Sequence, residues 1–207
     1  MRQLLDLETW NRKDHFNFFN QFEEPYFGVC VEIDCTKAYE RAKALNSSFF
    51  FYYLHKILVA VNRIESFRYR ISDGQVYVYD KINVSPPIDR PDGTFGFAYI
   101  DYYEAFQKFS YEAGIIVDQV RNSTGLFPSH SGDNVIHFSA VPWLNFTSVS
   151  HPRRFSFKDS CPKLAIGKIT TNGEKKTFPL SVHVHHALMD GYHVGLFVDE
   201  FQRVMNE

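Results

Sequence analysis

The segment His183-Val184-His185-His186-Ala187-Leu188-Met189-Asp190-Gly191-Tyr192-His193 holds four of the chain's nine histidines. An imidazole can ligate a metal ion or move a proton near neutral pH, so two chemistries are open at once. The preceding run, Pro179-Leu180-Ser181-Val182, has strand character. Side chains alternate across a strand, which puts His183 and His185 on one face and turns His186 to the other. A His-x-His pair on one face can supply two metal ligands, with His193 as a third. That reading is the weaker one, because no second cluster complements it and the only nearby carboxylate is Asp190. A histidine near a strand end is also often a simple hydrogen-bonded residue. Adjacent histidines, an Asp and a Gly, leading through a tight turn from strand to helix, raise the segment above that ordinary reading.

The elements that must position this segment can be read from periodicity. Tyr26 to Asp34 is rich in strand formers, and a short helix follows from Thr36 to Leu45. Ser47 or Ser48 can cap a second helix, whose apolar residues Phe51, Leu54, Leu58, Val59 and Val61 recur at helical spacing up to Asn62. Arg68 to Ile71 and Val76 to Tyr79 form a hairpin around Asp73-Gly74. Strands at Ile82 to Val84 and Phe95 to Ile100 flank a Pro-rich loop, and a long helix runs from Tyr103 to Val120. Three further strands fall at Asn134 to Ala140, Leu164 to Thr170 and Phe178 to His185, before a last helix, Tyr192 to Met205. Interleaved strands and helices with a hairpin predict an α/β class fold of α+β two-layer form: a mixed β-sheet covered by helices, in one domain over residues 1–207.

Composition narrows the function. The 207 residues carry 22 Lys and Arg against 24 Asp and Glu, a formal charge of −2, with no basic block to grip a nucleic-acid backbone. Aromatic residues make up 17% of the chain, including 21 Phe, and demand a core, pocket or interface for large flat surfaces. Cys30, Cys35 and Cys161 are an odd set without CxxC spacing, which supports neither a disulfide framework nor a zinc ribbon. Cys30 lies on the first long strand. Met1 to Glu8 carries charges where a signal peptide needs an apolar run, and no stretch has the ~20 apolar residues of a membrane span. The expected setting is the cytoplasm, with neither membrane nor nucleic acid as a partner and no bound metal.

His185 and His186 followed by Asp190-Gly191 match the HHxxxDG signature of the CoA-dependent acyltransferase superfamily, and the run through Val194 resembles the chloramphenicol acetyltransferase family. Trp10-Asn11-Arg12-Lys13-Asp14-His15-Phe16 resembles that family's N-terminal block, Phe138 to Ser148 its central block, and Pro179 to Val182 the strand entering its active site. The resemblance spans essentially the whole chain. It implies the CoA-dependent acyltransferase fold, acetyl-CoA as co-substrate with no bound cofactor, a small-molecule alcohol as acceptor, and a homotrimer with the site between subunits.

Roles follow residue by residue. The resemblance makes His186 the general base, which takes the proton of a hydroxyl as it attacks the thioester directly, without an acyl-enzyme. It makes Ser148 the hydrogen-bond donor to the oxyanion. Asp190 invites a triad reading with His186, but the resemblance pairs it instead with Arg12, so that the two hold the turn carrying the base. Phe19, Tyr26, Phe27 and Phe95 resemble the acceptor pocket, and Lys168 a position that meets a CoA phosphate. Met189, Ala165, the Glu23-Glu24-Pro25 stretch and the loops 86–93 and 151–161 depart from the pattern. Such loops set specificity, which leaves a second acceptor as an alternative, and a non-catalytic ligand-binding trimer as a third reading.

Overall fold

The computed structural model describes residues 1–126, 132–153 and 159–207. In chain order the elements are β1 (Arg2–Leu4), α1 (Lys13–Phe19), β2 (Tyr26–Asp34), α2 (Thr36–Ala44), α3 (Phe49–Arg63), β3 (Tyr69–Ser72), β4 (Gln75–Tyr79), β5 (Asn83–Ser85), β6 (Pro87–Asp89) and β7 (Phe95–Phe97). They continue with α4 (Phe106–Arg121), β8 (Val135–Ala140), β9 (Lys163–Ile166), β10 (Thr170–Asn172), β11 (Lys175–His185) and α5 (Gly191–Met205). The α/β reading with a mixed sheet holds. β5, β8 and β9 run parallel, β11 pairs antiparallel with β9, and β2 pairs antiparallel with β11 from Asp34 opposite Thr177 to Tyr26 opposite His185.

Alternation along β11 decides the layering. Phe178, Leu180, Val182 and Val184 are completely buried on one face, together with Phe138, Leu164 and Ile166 from the neighbouring strands. The helices pack there, with α3 at the centre and α2, α4 and α5 against it. Burial from several sides explains why Leu54, Ile57, Leu58, Ala60 and Val61 are all withdrawn from solvent. Ser48 takes the N-cap position of α3, yet its side chain makes no capping bond. Asn62 straps the helix to the sheet instead, donating to the Ile82 carbonyl and accepting from the Ile82 amide.

The hairpin β3–β4 turns at Asp73 and Gly74, both at positive φ, as a two-residue loop of the primed type requires. Two expectations are revised. The Pro-rich stretch contains a strand of its own, β6, which forms a small hairpin with β7. The strand expected from Leu164 to Thr170 breaks into β9 and β10, because Gly167 passes close under Leu144 and Pro179: a Cβ there would stand 2.6 Å from the Pro179 ring and 2.7 Å from the Leu144 carbonyl oxygen. The Lys168 amide then leaves the ladder to bond Leu144.

The second face of the sheet is polar. Pairing places Gly28, His183, Lys163 and His137 in one row across β2, β11, β9 and β8. The His183 ring lies over Gly28, where a Cβ would come within 2.2 Å of Nε2. His185 is on this face as well, and His151 packs edge-on against His183 at 4.9 Å. Burial, the largest influence in each case, pushes the imidazoles of His137, His151 and His185 down to about 4, helped in turn by Lys163, His183 and Arg153. His183 is lowered by burial and then by Lys163. These groups are therefore neutral at pH 7, and the unfolded chain takes up protons first as pH falls. Their contribution is complete above about 6.5 and is lost between there and about 4. Thermal melts are expected to show a midpoint falling steadily from pH 7 to pH 4.5, with a shallower fall in His137→Gln; a flat profile would contradict this account.

Candidate functional site

His186 is the first residue beyond β11, and its amide still donates to the Pro25 carbonyl at 2.8 Å, which carries the β2 pairing one residue past the strand. The adjacent histidines part to opposite faces. His185 faces the Tyr26 ring edge-on at 5.5 Å, and its Nδ1 accepts the Ala187 amide at 3.3 Å, folding the turn. The His186 ring goes the other way, stacked on Phe19 with centroids 3.9 Å apart and planes 8° from parallel. Phe27 covers it at 4.7 Å. Its Nδ1 is buried and has no hydrogen-bond partner among the described residues. A buried polar atom in that condition costs about 1–3 kcal/mol and calls for a functional explanation.

The turn is clamped from the N-terminal segment. Arg12, at the N-cap position of α1 and 7% exposed, donates through Nη1 to Asp190 Oδ2 at 2.6 Å and through Nη2 to the His186 carbonyl at 3.3 Å. Asp190 is the N-cap of α5. Its Oδ1 accepts from the Tyr192 amide and lies 2.8 Å from His193 Nδ1, and the Asp190 amide donates to that Nδ1 at 3.3 Å, completing a capping box. Burial works to raise the Asp190 carboxyl, but the hydrogen bonds from Arg12 and His193 outweigh it and hold the group well below the usual carboxylate range. One carboxylate thus ties a helix end, a distant arginine and the turn after β11 into a rigid unit.

Among the residues singled out in the sequence, His186, Arg12, Asp190, Phe19 and Phe27 come together here. The four aromatic residues do not share one wall. Tyr26 faces the polar side of the sheet, where its hydroxyl donates to the carbonyls of Asp159 and Cys161 at 3.1 and 3.0 Å and its ring takes the Arg153 guanidinium at 3.8 Å. Phe95, on β7, is 47% exposed and lines a cavity of about 1850 Å³ together with Trp143, His137, Lys163 and Cys161. Ser148 and Lys168 are exposed in the coils after β8 and β9. No hydrogen bond or ring contact among the described residues joins Phe95, Ser148 or Lys168 to His186.

His193 serves as a helix cap rather than joining His183 and His185, so the three do not form the metal triad that their spacing allowed. Cys30 sits half-buried opposite Ser181, while burial pushes the Cys35 thiol up to about 12 and the Cys161 thiol up to about 11. Sequence reasoning missed the polar group formed by His137, His151, Asp159 and Lys163. The β8–β9 register sets His137 beside Lys163, Asp159 lies four residues before Lys163, and His151 joins them through its contact with His183.

A family model described as "Chloramphenicol acetyltransferase" matches residues 2–202. The chain is 30% identical over 205 residues to a chloramphenicol acetyltransferase of Proteus mirabilis, covering 99% of this chain and 94% of that protein. A solved structure of a chloramphenicol acetyltransferase superposes with a TM-score of 0.91 at 34% identity, covering 99% of this chain and all of the other. A dihydrolipoamide acetyltransferase of Azotobacter vinelandii shares the fold, with a TM-score of 0.70 at 14% identity over 94% of this chain and 86% of that one.

The clamp is testable through stability. Arg12→Ala is expected to cost about 2 kcal/mol in urea unfolding, less than the ~3–5 kcal/mol of a fully buried pair, because 33% of the Asp190 side chain remains exposed. An unchanged midpoint would show that the pair does not hold the turn.

Proposed function

This chain belongs to the chloramphenicol acetyltransferase family, and on that premise we propose that it moves the acetyl group of acetyl-CoA to a hydroxyl of chloramphenicol or a similar hydroxylated aromatic, with His186 as general base. It is an acyltransferase. The observation that carries the reading is the His186 ring itself, stacked on Phe19, covered by Phe27 and mounted on the turn that Arg12 and Asp190 clamp.

In the proposed reaction the His186 imidazole takes the acceptor's hydroxyl proton while the oxygen attacks the thioester carbonyl. Ser148 donates a hydrogen bond to the oxyanion that forms. Collapse of the tetrahedral intermediate breaks the carbon–sulfur bond, and the imidazolium returns its proton to the departing CoA thiolate. Phe19 and Phe27 supply apolar surface beside the base, and Lys168 offers an ammonium to a CoA phosphate.

One chain does not bring all these groups together, and this supports a homotrimer in which the cavity wall of one copy faces the His186 turn of another. Trp143 and Leu144, 75% and 60% exposed beside Ser148, and Phe95 on the cavity are apolar surfaces suited to burial in such an interface. No described helix is long and apolar enough to cross a membrane, and the three cysteines are free, in keeping with a place in the reducing cytoplasm. A different hydroxyl acceptor is favoured by one observation: Tyr26, expected in the acceptor wall, has its hydroxyl committed to two backbone carbonyls on the polar face.

Thiol release from acetyl-CoA measured over chloramphenicol and a panel of other alcohols tests the reading. Release with chloramphenicol is expected, falling about 10²–10⁴-fold in His186→Ala. Release with another alcohol alone would replace the acceptor, near-full activity in His186→Ala would remove the base, and sedimentation as a stable monomer would remove the shared site.

A further inference from the structure

Within one chain the polar face of the sheet lies apart from the His186 turn, and the proposed acetyl transfer, on which the trimeric placement of this cavity rests, gives its histidines, Asp159 and Cys161 no step. On that face a ring nitrogen of His137, a carboxylate oxygen of Asp159 and the Cys161 sulfur all lie within 4.8 Å of one another. His137 is held on β8, and the other two precede β9. Their placement is built rather than loose: Asp159 Oδ1 accepts the Cys161 amide at 2.8 Å, and the Tyr26 hydroxyl donates to the carbonyls of both residues. All three line the large cavity, which gives an ion a path from solvent.

Imidazole nitrogen, thiolate sulfur and carboxylate oxygen are the three donor types of tetrahedral zinc sites. Bonds of about 2.0–2.3 Å place such donors ~3.5 Å apart, so each has to move by only about 1 Å to reach a common ion. His151 lines the same cavity with an Nε2 that is buried and lacks a hydrogen-bond partner among the described residues, which adds a second imidazole on that wall. Lys163 opposes binding, since its ammonium pairs with Asp159. An incoming dication must displace that ammonium and also the proton of the Cys161 thiol, which donates to the Asp133 carbonyl at 3.4 Å, so Lys163 and the thiol together set the affinity of the site.

We propose that His137, Asp159 and Cys161 form a binding site for a divalent transition-metal ion of the zinc class, open toward the cavity and separate from the His186 turn of the same chain. The reduced protein titrated with cobalt(II) is expected to develop the near-ultraviolet charge-transfer absorption of a cobalt–thiolate bond, saturating at one ion per chain. Cys161→Ser abolishes the band, with folding checked by circular dichroism. His137→Ala weakens zinc binding measured by competition about tenfold or more, whereas Lys163→Met tightens it. Absence of the band at stoichiometric cobalt, or a band that survives Cys161→Ser and so belongs to Cys30 or Cys35, overturns the proposal. Neither result depends on acetyl transfer.

Discussion

The ion pair between Arg12 and Asp190 joins two parts of the chain that are 178 residues apart in sequence. Its value is geometric more than energetic. A withdrawn ion pair gains little over well-packed apolar side chains, but it tolerates few alternatives, since each charge left alone would be costly. Arg12 adds a bond to the His186 carbonyl and Asp190 caps α5, so the turn between β11 and the helix has its entry, exit and main-chain direction set by one carboxylate and one guanidinium. The position of the His186 ring follows from that constraint and from the flat surface of Phe19.

The sheet supplies the second constraint. Strict alternation along β11 sends Leu180, Val182 and Val184 into the helical layer and Ser181, His183 and His185 to the opposite side. His186 lies just past the strand, where pairing to Pro25 persists but the chain is already turning. A shift of one residue in the β2–β11 register would exchange the two faces and send an imidazole into the apolar layer. The register is held by the long pairing from Thr177 to His185 and by Gly28, the one position on β2 that leaves space for the His183 ring.

Much of this was legible in the sequence where the signal is local. The bounds of β2, the Asp73-Gly74 turn and α5 follow from strand formers, paired turn residues and helical periodicity, and the opposite facing of His185 and His186 follows from strand geometry alone. What depends on through-space arrangement was not. The pairing of Arg12 with Asp190 could be taken only from a family resemblance. β6 is hidden in a Pro-rich stretch because Pro87 starts the strand, where a missing amide is tolerated. The split between β9 and β10 needs knowledge that Leu144 and Pro179 crowd Gly167. Tyr26 and Phe27 are neighbours in sequence and so face apart on a strand, which breaks up any single aromatic wall that includes both.

The span of the Arg12 to Asp190 link also bears on how the molecule is assembled. Synthesis produces the arginine early and the aspartate after nearly the whole sheet has been made, while β2 must wait equally long for β11, its partner. Contacts of such separation carry the full entropy of closing the loop between them, and they form late and slowly. The helices and the β3–β4 hairpin can gather first around local contacts. The His186 turn is then among the last features to close, and a nascent chain spends that interval with β2 unpaired and Arg12 without its carboxylate.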